Sequence, residues 1–446
     1  MHRNREERRP PGRSPGRWLG CGWLLLVWLV APAQADLAER IEAAARAMEG
    51  QVVAWRRDIH QHPELSNREF RTSALVAEHL RGLGMEVQTG IAHTGVVGVL
   101  RGAKPGPVVA LRADMDGLPV EERTGLPFAS TQRSSFDGQD VGVMHACGHD
   151  AHVAILMGAA SVLAGLREQL PGTVKFIFQP AEEGAPRGEQ GGAGLMVEQG
   201  VLRNPDVAAI FGLHVSQADT VGWASYRPRG AMASAQSFQI RVQGSQTHGA
   251  QPWAGVDPII VGAHIVTALQ TIVSRQLDLT VAPAVITVGT FHAGVRNNIV
   301  PDVAELGGTI RTFDPGMRAA IHDRVERIAT SVAESMGATA TVTIDPGVPV
   351  TYNDVELTES MVPTLRDVYG RDNVRVSELI TGAEDFAFYQ ERVPGLFFFI
   401  GGRPAGVPAE RAIPNHSPYF DVDEGALVLG VQAMSRLAVD YLRLTP

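Results

Sequence analysis

The side chains able to do chemistry concentrate in Met144-His145-Ala146-Cys147-Gly148-His149-Asp150-Ala151-His152. Cys147 and His149 stand two apart around a glycine. A thiolate and an imidazole are good ligands for zinc-like borderline cations. Gly148 lets the backbone turn so that both side chains face one centre, and Asp150 is placed to orient an imidazole from behind. The plainer reading is a buried cysteine among structural histidines. A second group, Phe178-Gln179-Pro180-Ala181-Glu182-Glu183-Gly184, follows the apolar run 173–178. Metal-assisted hydrolysis needs one carboxylate to hold a cation and another to take a proton from the activated water. Adjacent residues point apart, so Glu182 and Glu183 can divide these roles, although such a pair is ordinarily a solvated surface feature.

Three further places are equivocal singly. His214 closes a hydrophobic strand in Gly212-Leu213-His214-Val215, where a satisfied core histidine is the common occupant. His416 lies in the loop Pro414-Asn415-His416-Ser417-Pro418, where surface exposure explains it equally. Asp114 and Asp116 end the run Leu111–Gly117 as ligands, orienting groups or turn residues. Their weight comes from agreeing on one metal site.

The elements that must position these residues follow from hydrophobic periodicity. Helices are expected at 36–57, 68–82 and 151–170, and strands at 95–100, 107–112, 173–179 and 207–215. Strands alternating with helices point to an α/β sheet covered on both faces. Beyond Arg227 the pattern changes: strand 237–242, helix 257–274, strands 284–291 and 303–313, helix 315–336, strand 339–345. That β-α-β-β-α-β order is ferredoxin-like. Helix 356–369, strand 396–401 and helix 424–442 then return to the first pattern. The expected organisation is a signal segment 1–35, a large domain 36–227 completed by 350–446, and an inserted domain 228–349.

Composition bounds the function classes. The chain has 446 residues, 44% hydrophobic and 20% charged, an ordinary globular balance. Residues 1–35 read as a secretory signal: a basic stretch Arg3–Arg17, an apolar run Trp18–Val30, and Ala33-Gln34-Ala35 as the cleavage site. The apolar run is short for a membrane span. Six Arg and two Glu leave with it, taking the formal net charge from −9 to −13. An acidic protein is a poor partner for nucleic acid. Only Cys147 of the two cysteines remains, so no internal disulfide can form. In an oxidising compartment such a thiol must be buried or metal-bound.

Assembled, these residues resemble the M20 metallopeptidase family, and within it the amidohydrolase branch of hippurate, N-acyl-amino-acid and indole-acetyl-amino-acid hydrolases. The resemblance spans nearly all of the chain after the signal. It includes Arg56-Arg57-Asp58-Ile59-His60-Gln61-His62-Pro63-Glu64-Leu65, Leu111–Pro119, Met144–Asp150, Gln179–Gly184, Gly212–Val215, Thr247-His248-Gly249-Ala250, Asn298-Ile299-Val300-Pro301, Gly382-Ala383-Glu384-Asp385-Phe386 and the His416 loop. Gly117, where alanine is expected, is a small departure. The resemblance implies a large α/β/α catalytic domain with a mixed central sheet, interrupted by a ferredoxin-like lid or dimerisation domain. It implies two divalent cations (manganese, zinc or cobalt) held by Cys147, His149, Glu183, His214 and His416, with Glu182 as general base and Asp114 and Asp116 behind the ligands. His248 would stabilise the oxyanion, even at a partner subunit's site. Asn298 and Arg311 would bind the substrate carboxylate, although a strand-surface salt bridge suits Arg311 equally. The expected protein is an exported, periplasmic or secreted homodimer that hydrolyses N-acyl-L-amino acids. A dipeptidase or carboxypeptidase of the same family is the alternative, and a non-catalytic metal- or ligand-binding protein a third reading, disfavoured by Glu182.

Overall fold

Four parallel strands form the centre of the molecule, in the spatial order Pro171–Gln179, Lys104–Asp114, Ala209–Thr220 and Gly395–Arg403. The computed structural model describes residues 31–444. The expected signal therefore lies outside the described residues up to position 30, and helix Ala31–Ala47 runs through the expected cleavage point. Strands Gly95–Arg101 and Glu86–Ile91 extend the sheet antiparallel on one side. Ala224–Tyr226 and Val374–Val376 complete eight strands on the other.

The central strands are apolar in runs rather than in alternation because both faces are covered. Phe398 and Ile400 enter one core, beneath the helices that include Glu49–Gln61, His149–Gly165 and Gly425–Leu444. Phe397 and Phe399 enter the opposite core with Met196, Phe386 and Tyr389. Helix His149–Gly165 is buried along nearly its whole length, and it fixes the segment that carries Cys147 and His149. The expected first helix is two, Ala31–Ala47 and Glu49–Gln61.

A second sheet holds Ala284–Ala293, Val303–Thr312, Gln236–Gln243 and Thr339–Ile344, antiparallel throughout. With helices Pro258–Thr271 and Pro315–Ser335 this is the expected β-α-β-β-α-β unit, with its own core around Ile240, Ile265, Leu306 and Ile321. Both helices start on an Asp-Pro pair. Asp257 and Asp314 accept the backbone N–H of Ile259 and Met317 at 2.9 and 2.7 Å, the expected capping chemistry. Among the described residues one helical stretch, Pro258–Gln276, is long and apolar enough to cross a membrane; here Val261, Ile265 and Leu269 pack on this sheet. The chain enters the unit at Arg229–Met232 and leaves it at Thr351–Asn353, and these two short strands pair with each other.

Candidate metal centre

The parallel strands all end at one edge, the usual crevice of an open α/β sheet. Asp114 ends its strand there, and Glu182 and Glu183 follow Gln179 there. Gly148 sits at φ +99° between Cys147 and the helix that begins at His149, a conformation glycine adopts without strain. The cysteine and histidine on either side thus reach a common space.

The five expected ligands come together. Cys147 Sγ lies 3.3 Å from His214 Nε2 and 3.3 Å from His416 Nε2. His416 Nε2 is 3.0 Å from Glu183 Oε1. The ligand atoms of Cys147, His149 and His214 lie within 4.8 Å of one another, as do those of Cys147, Glu183 and His416, and those of His149, Glu182 and Glu183. Cys147 is common to the first two groups.

Two of the three imidazoles are fixed from behind. His149 Nδ1 donates to Asp116, 2.9 Å from its carbonyl oxygen and 3.2 Å from Oδ1. His214 Nδ1 donates to the Val215 carbonyl at 2.8 Å. The Nε2 lone pairs therefore face the cluster, as in metal-binding histidines. Two buried atoms there have no hydrogen-bond partner: His149 Nε2 and Glu183 Oε1, whose approach to His416 lacks hydrogen-bond geometry. Orphaned buried acceptors are costly. Metal-ligating atoms of five side chains crowded on one space, two of them without a hydrogen-bond partner, fit cations.

Without cations the same negative surroundings keep protons on these donors, protons that bound cations would displace. Burial pushes the Cys147 thiol up, against the pull of His149 and His416. Burial alone would depress His149, but Asp114, Asp116 and Cys147 carry it well above its usual value. The hydrogen bond to Cys147 and the adjacent Glu183 carboxylate lift His416 to about 10. Burial and the charges of Glu384, Glu183 and Asp385 hold Glu182 well above the carboxylate range. Six carboxylates crowd this region (Asp114, Asp116, Glu182, Glu183, Glu384 and Asp385) against the guanidinium of Arg112.

Several supporting residues went unassigned in the sequence. Arg112 is fully buried and pairs with Asp114 at 2.6 Å, Glu384 at 2.9 Å and Asp385 at 3.0 Å. His152 donates to Asp114 at 2.6 Å and accepts from the Val215 N–H at 2.9 Å, joining three elements. Asn415 donates to the carbonyls of Cys147 and Val215 and so holds His416, itself at φ +70°. Glu69 accepts the N–H of Ala181 at 2.9 Å, fixing the turn ahead of Glu182. Asp116 stands behind His149, whereas Asp114 Oδ2 lies 3.9 Å from His149 Nε2 and its ligand atom groups with those of His149 and His152 within 4.8 Å. Asp116 also accepts the backbone N–H groups of Glu182 and Glu183 at 3.1 and 3.0 Å. Asp150 differs from expectation: it pairs with Arg56 and His60, both at 2.8 Å, because it faces away from the cluster on the helix's first turn.

A cavity of about 280 Å³ opens on the cluster, lined by Cys147, Glu182, Glu183, His214, His416 and the apolar Met232, Ile380 and Phe399 among others. His248, Asn298 and Arg311 do not line it within one chain. They lie on the second sheet's unit, where the His248 strand pairs with Ile299–Val300 and Gly249 N–H donates to the Asn298 carbonyl.

A family model described as Peptidase family M20/M25/M40 matches residues 110–440. Thermostable carboxypeptidase 1 of Saccharolobus solfataricus is 42% identical, covering 91% of this chain and 99% of its own. N-acetyl-L-cysteine deacetylase of Bacillus subtilis is 36% identical over 85% of this chain and 86% of its own. The crystal structure of the YXEP protein of Bacillus subtilis, described as a dinuclear metal-binding peptidase of the M20 family, matches with a TM-score of 0.72 at 35% identity. It covers 89% of this chain and 99% of that one.

Proposed function

The chain belongs to peptidase family M20/M25/M40, and on that premise we propose that it hydrolyses the amide bond of N-acyl-L-amino acids. Two divalent cations would be held by Cys147, His149, Glu183, His214 and His416. The observation that carries this reading is the convergence of those five donors on one space beside Glu182. The chemistry supplied by bound cations is polarisation of the scissile carbonyl and acidification of a water. Glu182 takes the proton of the attacking water and passes it to the amine nitrogen as the C–N bond breaks. Its side chain is only 9% exposed, so the proton it holds is shielded from bulk water. Arg112 supports the acids behind it, and Asp116 fixes the Glu182-Glu183 backbone. His248 supplies an oxyanion contact from the second unit, acting as a lid, and Asn298 and Arg311 take the substrate carboxylate.

Manganese, zinc and cobalt all suit a Cys/His/Glu donor set, with availability deciding among them. We read residues 1–35 as an export signal, which amino-terminal sequencing of the secreted or periplasmic protein tests. Homodimerisation through the second unit fits its exposed Val285, Phe291 and Ile260. A carboxypeptidase is the second reading, favoured by the 42% identity to a protein so named. A panel of acetyl-, benzoyl- and indole-acetyl-amino acids beside dipeptides and longer peptides separates the two. The proposal expects the acyl-amino acids to be cleaved best, and only with metal present. Cleavage of peptides alone would replace it with the carboxypeptidase.

A further inference from the structure

The two units meet along a seam beside the paired strands Arg229–Met232 and Thr351–Asn353. Two cavities open there, and Tyr352 lines both. The larger has a volume of about 440 Å³, within the range of small-molecule pockets. Helix Pro315–Ser335 of the second unit lends it Arg318, and the metal centre's unit lends it Glu391 and Arg392. A ligand held by both arginines would touch both units at once. None of the residues lining this cavity lines the one at the metal centre.

Its positive charge is only partly answered. Arg318 is 19% exposed. Its Nη2 donates to the Pro346 carbonyl at 2.7 Å, but Nη1 reaches Glu391 Oε1 only at 3.4 Å, near the outer limit of a hydrogen bond. Its Nε–H is buried without a partner, and an orphaned buried donor is costly. Arg392 is exposed and, among the described residues, forms no ion pair. Two guanidiniums thus face one half-exposed carboxylate, in a chain of formal net charge −9. The smaller cavity adds Arg227 and Arg229 against Asp314, whose carboxylate is engaged by the Met317 N–H. A positive cleft on an acidic protein concentrates anions locally.

The remaining wall of the larger cavity is apolar, from Pro315, Pro349 and Val350. A simple inorganic anion would leave that wall uncovered, whereas a carboxylate on an apolar body satisfies both parts. Guanidinium groups match carboxylates in shape as well as in charge. We propose that the seam cavity is a binding site for a small organic carboxylate, held by Arg318 and Arg392 in competition with Glu391. Because the two arginines belong to different units, an occupant ties the units together and resists any change in their relation. The site acts on turnover from outside the metal centre, whichever amide is cleaved there.

The test titrates benzoate into the full metal-loaded protein by calorimetry, with inorganic phosphate in a parallel arm. The wild type should bind benzoate, and Arg318→Gln and Arg392→Gln should each weaken binding by about 10-fold or more, the scale of a lost charged hydrogen bond. Turnover without benzoate should be unchanged in both. Glu391→Gln removes the competing carboxylate and should tighten benzoate binding; it decides the matter where an arginine variant misfolds. Benzoate should lower the wild-type kcat without raising KM, and should lose that effect in the arginine variants. Benzoate that only competes with substrate, and binds all three variants as it binds the wild type, overturns the site. Phosphate binding there as tightly as benzoate overturns the organic carboxylate as its ligand.

Discussion

Cys147 and Glu182 carry the account at the scale of single residues, in separable roles. Cys147 belongs to two of the donor groups around the cluster. Cys147→Ser should therefore lower bound metal and turnover together, as metal analysis and kinetics on one sample would show. Full metal occupancy in that variant would remove Cys147 from the ligand set. Glu182→Gln keeps shape but not basicity. It should retain metal and lose about 100-fold or more in kcat, the scale of a lost general base. Near-normal turnover would assign the proton transfer to another group. The cluster was legible because Cys147-Gly148-His149 and Glu182-Glu183 each carry metal chemistry within a few residues. Arg112 was not, because nothing local says that an arginine on a strand will be fully buried. Its partners Glu384 and Asp385 lie about 270 positions away. Asp150 misled for the same reason: its partner Arg56 is 94 positions distant.

Among the elements, loops held by buried carboxylates set the site's precision. Glu69 precedes helix Phe70–Gly82, yet its carboxylate receives the N–H of Ala181, which sits at φ +52°. Removing such a support behind a metal site typically costs 10- to 100-fold. Glu69→Ala should lower kcat/KM by roughly that factor while the Glu182 pH profile keeps its shape; an unchanged kcat/KM would make Glu69 a mere core acid. Helix Glu49–Gln61 is tied to helix His149–Gly165 through His60 and Asp150. Burial opposes the His60 charge, but Asp150 and Glu122 outweigh it and raise its pKa to about 9. An imidazolium favoured by folding stabilises fully below the unfolded value near 6.5, and that contribution fades as pH climbs through about 9. Melting temperatures should fall over that window in the wild type and less steeply in His60→Gln. Parallel curves would deny the linkage. The alternation of helix and strand and the β-α-β-β-α-β order were readable from periodicity, whereas the Asp-Pro helix starts at Asp257 and Asp314 were capping signals that the reading did not use. The hairpin 133–142 was not drawn from periodicity, although its Asp137-Gly138 pair is a turn signal; its strands are short and mostly exposed and hold one large apolar residue each, Phe136 and Val141, too few to mark a pattern.

At the scale of the whole molecule, the chain uses its large sheet to build a metal centre and its second unit to carry His248 and Asn298, on and beside a two-stranded ribbon, and Arg311, on the four-stranded sheet. Within one chain these three stay off the metal-site cavity. The expectation that a partner's second unit completes the site then has a direct test. His248→Ala and Glu182→Gln variants, each of low activity, should recover activity when mixed and allowed to exchange subunits. No recovery, with mixed dimers verified, would confine His248 to its own chain. The fold's architecture was legible because each layer has its own periodicity. The relation between the two units was not, because no local pattern encodes how separately packed sheets meet. The central claim is that this crevice is a two-cation hydrolytic centre. Its most direct test is the metal content of the purified protein, measured with its turnover of an N-acyl amino acid before chelation, after it, and after restoring manganese or zinc. The account predicts about two ions per chain, loss of turnover on stripping and recovery on restoration. Undiminished turnover in the stripped protein would contradict it.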